Sequence, residues 1–233
     1  MISAHPDDPE FAAGGTIAWL GANGVEVSYA ICSDGSQGGD DRHMPKAAMA
    51  RLRRQEQMAA AAVLGVLQVE FLGFRDGHLR PSLELRMAIV RQIRKRRPDL
   101  VITHTPTRVL EAWAGMIHPD HLAAGEAAFA GVHDASNPRA WRELRQEGLQ
   151  AHQVQEIWVP YASMGDKMID ISECMATKIA AISKHQSQVG GQGAEREYAK
   201  WVTQAGEQAG AKAGCKHAES FMRIVVEQGG GCF

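Results

Sequence analysis

The stretch Ser3-Ala4-His5-Pro6-Asp7-Asp8-Pro9-Glu10-Phe11 sets an imidazole and two adjacent carboxylates directly ahead of a run whose apolar residues (Phe11, Ile17, Leu20) recur at helical spacing. An aspartate before proline is a common helix start: Asp8 can take the N-cap, Pro9 the first helical position, and Glu10 is favoured by the dipole. His5 and Asp8 are three residues apart, so on a tight turn or first helical turn they point the same way, with Asp7 thrown to another side. A catalytic zinc site asks for that arrangement, with ligands converging on one point beside a carboxylate that activates the ion's water. The same residues also read as a plain strand-to-helix junction with His5 incidental, and the two readings are compatible.

A second stretch, Ile117-His118-Pro119-Asp120-His121, repeats the His-Pro-Asp theme and again leads into a helix of small residues, Leu122 to Phe129. A catalytic zinc site keeps three protein ligands and an open position. His5 and Asp8 supply two, and one of His118 and His121 the third. The other histidine would face the substrate, held by a carboxylate such as Asp120.

Working outward, strand and helix patterns alternate. Helical spacing runs from Pro9 to Leu20, a strand from Val25 to Cys32, and a Gly- and Asp-rich loop from Ser33 to Met44. Ala47 to Leu64 is an Ala-rich helix, Val69 to Leu72 a strand, Phe74 to Pro81 a loop, Leu83 to Arg96 a helix and Leu100 to Thr103 a strand that empties into His104 to Ile117. This rhythm predicts an α/β fold: a Rossmann-like, mostly parallel sheet with helices on both faces. Ligands of such folds bind beyond the carboxyl ends of the strands, so both histidine motifs belong on that rim. Asp34 and Arg108 also fall there, as candidate substrate contacts, although an ordinary surface role suits Arg108 equally well. Only Met1-Ile2-Ser3 is available for the first strand, which is expected to be a stub unless the coding start lies upstream. A stub would cost the central sheet stability.

Beyond Asp134 the rhythm weakens. Pro138 to Gln146 reads as a short surface helix, and Glu156 to Tyr161 as a strand that Pro160 marks as an edge or as ending there. Ile169 to Ile171 reads as a short strand, and Ser172 is expected to cap a helix from Glu173 to Lys184. Glu195 to Ala211 is a further helix, followed by a tail from Glu219. No second domain is indicated, and residues 1–233 are read as one unit.

Composition bounds the function classes. Lys and Arg number 25 against 27 Asp and Glu, so nothing suggests a nucleic-acid surface. The basic run Arg94-Lys95-Arg96-Arg97 is read as a solvated helix end complementing the dipole. No membrane-length apolar segment and no signal peptide are seen, which makes the cytoplasm the simplest compartment. Cys32, Cys174, Cys215 and Cys232 lack the spacing of a structural zinc or a disulfide scaffold. Gly35, Gly38 and Gly39 do not form a dinucleotide fingerprint, which argues against a nucleotide-binding Rossmann domain. A non-catalytic metal module would need neither Asp7 nor His118. A metal-dependent hydrolase of another amide or ester is the nearest rival.

The chain resembles the LmbE/PIG-L-like zinc-dependent N-acetylglucosaminyl deacetylases, which include enzymes of mycothiol and bacillithiol biosynthesis. The resemblance rests on Ala4 to Phe11 with Gly14-Gly15-Thr16-Ile17, and on His118 to His121. It extends through Arg53-Arg54-Gln55-Glu56, Ala62 to Val66, Phe71 to Gly77, Arg97 to Thr103 and His185-Gln186-Ser187-Gln188. It implies a zinc ion (or another divalent metal such as Fe2+) on His5, Asp8 and His121, with Asp7 as general base. His118 would stabilise the oxyanion and protonate the leaving amine, Asp120 would orient that side, and Arg53 and Asp76 match substrate-contacting positions. The implied partner is a small N-acetylated substrate, in a homo-oligomer such as a trimer or hexamer, with no nucleic acid or membrane. Many relatives carry Arg or Asn before the second motif, where this chain has Met116-Ile117.

Overall fold

The computed structural model describes residues 1–108, 118–160, 165–190 and 194–227. Met116-Ile117, Tyr161 and most of the loop from His104 to Ile117 lie outside the described residues. The elements in chain order are β1 (Ile2–Ser3), α1 (Asp8–Ala22), β2 (Ser28–Ser33), α2 (Lys46–Val63), β3 (Gln68–Phe74), α3 (Leu83–Arg96), β4 (Leu100–Ile102) and α4 (Pro119–Ser136). There follow α5 (Arg142–Gln146), β5 (Glu156–Pro160), β6 (Lys167–Asp170), α6 (Met175–Ile182), α7 (Gln186–Val189), α8 (Ala194–Ala213) and β7 (Ala218–Val225).

Strands β1, β2 and β3 pair in parallel, as do β4 and β5, while β7 runs antiparallel between β5 and β6. A single parallel bridge between Ile2 and Thr103 joins the two blocks in the order β3-β2-β1-β4-β5-β7-β6. Side chains alternate across this surface, as a strand's two-residue period requires. Ala30, Cys32, Val101, Ile157 and Val159 face α3 and α4, whereas Tyr29, Ile31, Ile102 and Trp158 face α1, α2 and α6. Both faces are covered, as the unbroken apolar runs of the strands predict. Strand β1 is two residues long, extended by bonds from Ala30 N–H to the Met1 carbonyl and from Ser33 N–H to the Ala4 carbonyl. No described helix is long and apolar enough to cross a membrane.

Four local features depart from what the sequence suggests. Strand β7, from the tail, is inserted between β5 and β6, so β5 is interior; of the two readings of Pro160, the end of the strand holds and the edge does not. Helix α1 is broken at Ala13 (φ −148°), and the buried Glu219 of β7 accepts the freed N–H groups of Gly15 and Thr16 at 3.0 and 2.7 Å. Lys178 joins this break, donating to Glu219 at 2.5 Å and to the Phe11 carbonyl at 2.9 Å. Arg94, expected in solvent, is buried and donates to the carbonyls of Asp134, Ala135, Asn137 and Ala140, clamping the end of α4 and the turn that follows it. Ser172 does not cap α6: its hydroxyl bonds Asp170, and Cys174 precedes the helix without a side-chain cap.

Candidate metal and catalytic site

The site forms where β1 and β4 end, on the carboxyl rim. Helix α1 begins one residue earlier than the Asp8 cap reading supposes, with Asp7 in the flanking position and Pro9 inside the first turn. Asp8 instead turns its carboxylate back, and its Oδ2 accepts the His5 N–H at 2.7 Å. Helix α4 starts at Pro119, and His118 Nδ1 accepts the Asp120 N–H at 3.2 Å. Gly125 lets α4 approach the end of β4: a Cβ there would lie 2.6 Å from the His104 carbonyl oxygen.

Three side chains from these two segments converge. His5 Nδ1 is 3.2 Å from His121 Nε2 and 3.5 Å from Asp8 Oδ2, and His121 Nε2 is 3.1 Å from Asp8 Oδ1. Ligand bonds of 2.0–2.2 Å in tetrahedral array put neighbouring donors about 3.3–3.6 Å apart, close to this spacing. His5, His118 and His121 also offer nitrogens within 4.8 Å of one another, and so do Asp8, His104 and His121. Both histidines of the second motif therefore reach the cluster.

The opposite nitrogen of His5 is held by carboxylates. His5 Nε2 lies 3.2 Å from Asp76 Oδ1 and 3.2 Å from Asp120 Oδ2. Asp120 is itself fixed by the N–H groups of Gly77 (2.7 Å) and Leu79 (3.1 Å). In the neutral imidazole this shell keeps the proton on Nε2, so Nδ1 is the nitrogen that would ligate an ion once its own proton has left. Burial alone would lower the His5 pKa, but Asp120, Asp76 and Asp8 outweigh it and raise it to about 12. Burial opposes ionisation of Asp76 too, yet its bonds to His5 and the Gln37 N–H bring it down to about 2. Asp8 is held well below the usual carboxylate range: burial acts against this, and His121 and His104 override it.

Asp7 stands apart from this set. Its Oδ2 receives Arg53 Nη2 at 3.0 Å, and Oδ1 has no protein partner among the described residues. Burial pushes the Asp7 carboxyl up, Arg53 pulls it down, and Asp8 pushes it up again, for a net rise. A carboxylate raised towards neutrality is better matched to general-base work. The His118 pKa is lowered by burial, then by His5 and His121; Asp120 acts the other way without offsetting them. With Nδ1 accepting a backbone N–H, neutral His118 carries its proton on Nε2.

The remaining sequence candidates are placed as follows. Arg53 is 4 % exposed and donates to the carbonyls of Pro6 (2.5 Å) and Gly35 (3.0 Å) as well as to Asp7. Asp76, 5 % exposed, is committed to His5 and to the Gln37 N–H at 2.8 Å. Asp34 Oδ1 accepts the N–H groups of Ser36 and Asp76, tying the loop after β2 to the loop after β3. Arg108 is exposed, beside the segment outside the described residues. Sequence reasoning missed His104, whose Nε2 lies 3.1 Å from Asp8 Oδ2 and whose ring stacks on His121 at 4.2 Å. Its position at the end of β4 was the available signal.

The chain is similar to known proteins over most of its length. The chain is 35% identical over 187 residues to the diacetylchitobiose deacetylase of Thermococcus kodakarensis, covering 80% of this chain and 68% of that protein. It is 27% identical over 217 residues to a probable N-acetyl-alpha-D-glucosaminyl L-malate deacetylase 2 of Bacillus anthracis, covering 89% of each. Its fold matches the N,N'-diacetylchitobiose deacetylase of Pyrococcus horikoshii at TM-score 0.88 and 30% identity, over 96% of this chain and 82% of that one. The family model described as PIG-L, GlcNAc-PI de-N-acetylase, matches residues 1–132, and the chain belongs to the PIG-L family.

Proposed function

We propose that the protein is a metal-dependent deacetylase that removes the N-acetyl group from a small GlcNAc-type conjugate, releasing acetate and a free amine. The observation that carries this reading is the convergence of His5 Nδ1, Asp8 and His121 Nε2 at 3.1–3.5 Å, with Asp7 and His118 alongside. His5, Asp8 and His121 would hold the ion, and two imidazoles with one carboxylate suit zinc, with Fe2+ an alternative. The ion would lower the pKa of water towards about 7 and polarise the acyl carbonyl.

The protein's own groups do the rest. Asp7 Oδ1 accepts a proton from the attacking water as its oxygen bonds the acetyl carbon. His118 Nε2–H donates to the oxygen that gains charge. The carbon–nitrogen bond then breaks, and the proton held by Asp7 passes to the departing nitrogen, leaving acetate and amine. Asp7, rather than His118, delivers that proton in this scheme, because a neutral His118 has a single proton and keeps it on the oxyanion. Asp76 and Asp120 orient His5. Asp34 and Arg108 line the rim where the sugar would enter. A cytoplasmic homo-oligomer, trimer or hexamer, completes the reading.

The test is acetate release from N,N'-diacetylchitobiose and acidic GlcNAc conjugates by protein whose bound metal is quantified. Asp7→Ala should keep its metal and lose turnover, and His121→Ala should lose the metal. Full metal occupancy in His121→Ala would remove that ligand, and faster cleavage of acetyl esters than of N-acetyl sugars would redirect the substrate class.

A further inference from the structure

Asp7 is at φ 97°, a positive-φ conformation that a non-glycine residue keeps only when its surroundings impose it. Helix α2 imposes it. Gln57 Oε1 accepts the Asp7 N–H at 2.9 Å, one helical turn beyond the Arg53 that holds the carboxylate. The Gln57 amide cannot flip, because its Nε2 donates to both oxygens of Glu10 at 3.0 and 3.1 Å. Glu10 is fully buried and is held from the other side by His185 Nε2 at 3.0 Å, itself fully buried. His185 opens the stretch His185-Gln186-Ser187-Gln188, which the catalytic scheme leaves without a role. Two residues on, Ser187 fastens the same segment to α2 through its N–H and hydroxyl, 2.7 and 2.6 Å from the Glu56 carboxylate.

We propose that Gln57 is a positioning residue for Asp7, its amide oriented through Glu10 by His185, so that this buried chain sets the direction in which the Asp7 carboxylate faces the attacking water. The inference rests on Asp7 being the base. Buried polar groups need partners in any fold. Here, however, the chain terminates on the backbone of the one strained residue between two candidate metal ligands. A 1 Å misplacement of a reacting group costs on the order of 100-fold in rate, so orientation at this point is worth a dedicated scaffold.

The experiment measures kcat, KM and bound metal of the full chain on N,N'-diacetylchitobiose for wild type, Gln57→Met, His185→Leu and Asp7→Ala, together with each substitution combined with Asp7→Ala. Methionine matches glutamine in length and helix preference, so α2 should persist. Gln57→Met is expected to lower kcat by about 100-fold with KM and metal content nearly unchanged. His185→Leu should do the same to a smaller degree, and it carries the comparison should Gln57→Met fail to fold. Neither should reduce the residual rate of Asp7→Ala, because residues acting as one unit are not additive. Wild-type kcat per bound metal in Gln57→Met, or an equal fold-loss in the Asp7→Ala background, overturns the proposal. Should wild type release no acetate, the functional reading fails on its own. The crystal structure of Gln57→Met then decides the positioning: Asp7 relaxed to negative φ supports it, and Asp7 unmoved overturns it.

Discussion

Asp120→Asn tests the carboxylate shell around His5, on the ring nitrogen opposite the proposed ion. The buried Asp120 carboxylate accepts three N–H groups, from Leu79 on Oδ1 and from Gly77 and His5 Nε2 on Oδ2. Asparagine has one oxygen and one NH2, so in either orientation the NH2 confronts at least one of those donors. If the amide oxygen takes the Oδ2 place, the Leu79 N–H is stranded at about 1–3 kcal/mol. The bond to His5 also loses its charge assistance, roughly half its strength. Asp76 remains on His5 Nε2 at 3.2 Å, so the imidazole keeps its orientation in part. The expected result is a zinc Kd raised by about 10–100-fold. Competition with a chromophoric chelator measures it. Asp76→Asn combined with Asp120→Asn should weaken binding further, because nothing then fixes the proton on Nε2 and the Nδ1–H tautomer cannot ligate. A Kd within about threefold of wild type in the folded single variant would show that His5 needs no carboxylate to present Nδ1, against the expectation for such shells.

Other expectations follow from burial and charge. Glu219→Gln removes the counter-charge of the buried Lys178 ammonium, which keeps only its bond to the Phe11 carbonyl, and should cost about 3 kcal/mol in urea unfolding; Lys178→Met should cost less, because Glu219 keeps the Gly15 and Thr16 N–H groups. Equal costs would mean that the helix break contributes nothing. Arg94→Met should destabilise by about 2–3 kcal/mol, whereas Lys95→Ala, in an exposed pair with Glu70, should cost under about 1 kcal/mol; comparable losses would deny Arg94 its clamping role. The apoprotein's His5 is raised from 6.5 to about 12, so its contribution to stability is complete below pH 6.5 and falls as pH rises towards 12. Zinc binding near pH 8 should therefore release about one proton from His5, read by calorimetry in buffers of different ionisation enthalpy. Absence of that release would place the ion on other groups.

The parts of the fold that were readable ahead of the structure are those fixed by near neighbours in sequence. The first four strand–helix units announce themselves through apolar runs, Gly breaks and the Ser82 cap, whose hydroxyl accepts the Leu85 N–H. The candidate site's two motifs were legible for the same reason, since each is a local strand-to-helix junction. Strand β7 was not, because Glu219 and Arg223 within Ala218–Val225 break the apolar alternation. The burial of Glu219 makes sense only once α1 is known to break at Ala13 and Lys178 to lie opposite. Arg94 looked like its neighbours Lys95 and Arg96, and only the approach of the α4 terminus distinguishes it. Arg53, ordinary on its helix, acquires meaning from the Pro6-Asp7 backbone that folds over it.

The lone bridge between Ile2 and Thr103 is the sheet's thinnest seam. His5, Asp7, Asp8 and Asp76 belong to one side of it, and His104, His118, Asp120 and His121 to the other. A cation gripped by His5, Asp8 and His121 would therefore act as a rivet, fastening two halves that the backbone ladder barely stitches together. Chelation should then loosen amide protons along β1 and β4 sooner than those of β2 or β5, which would make hydrogen exchange a reporter of metal occupancy that needs no substrate at all.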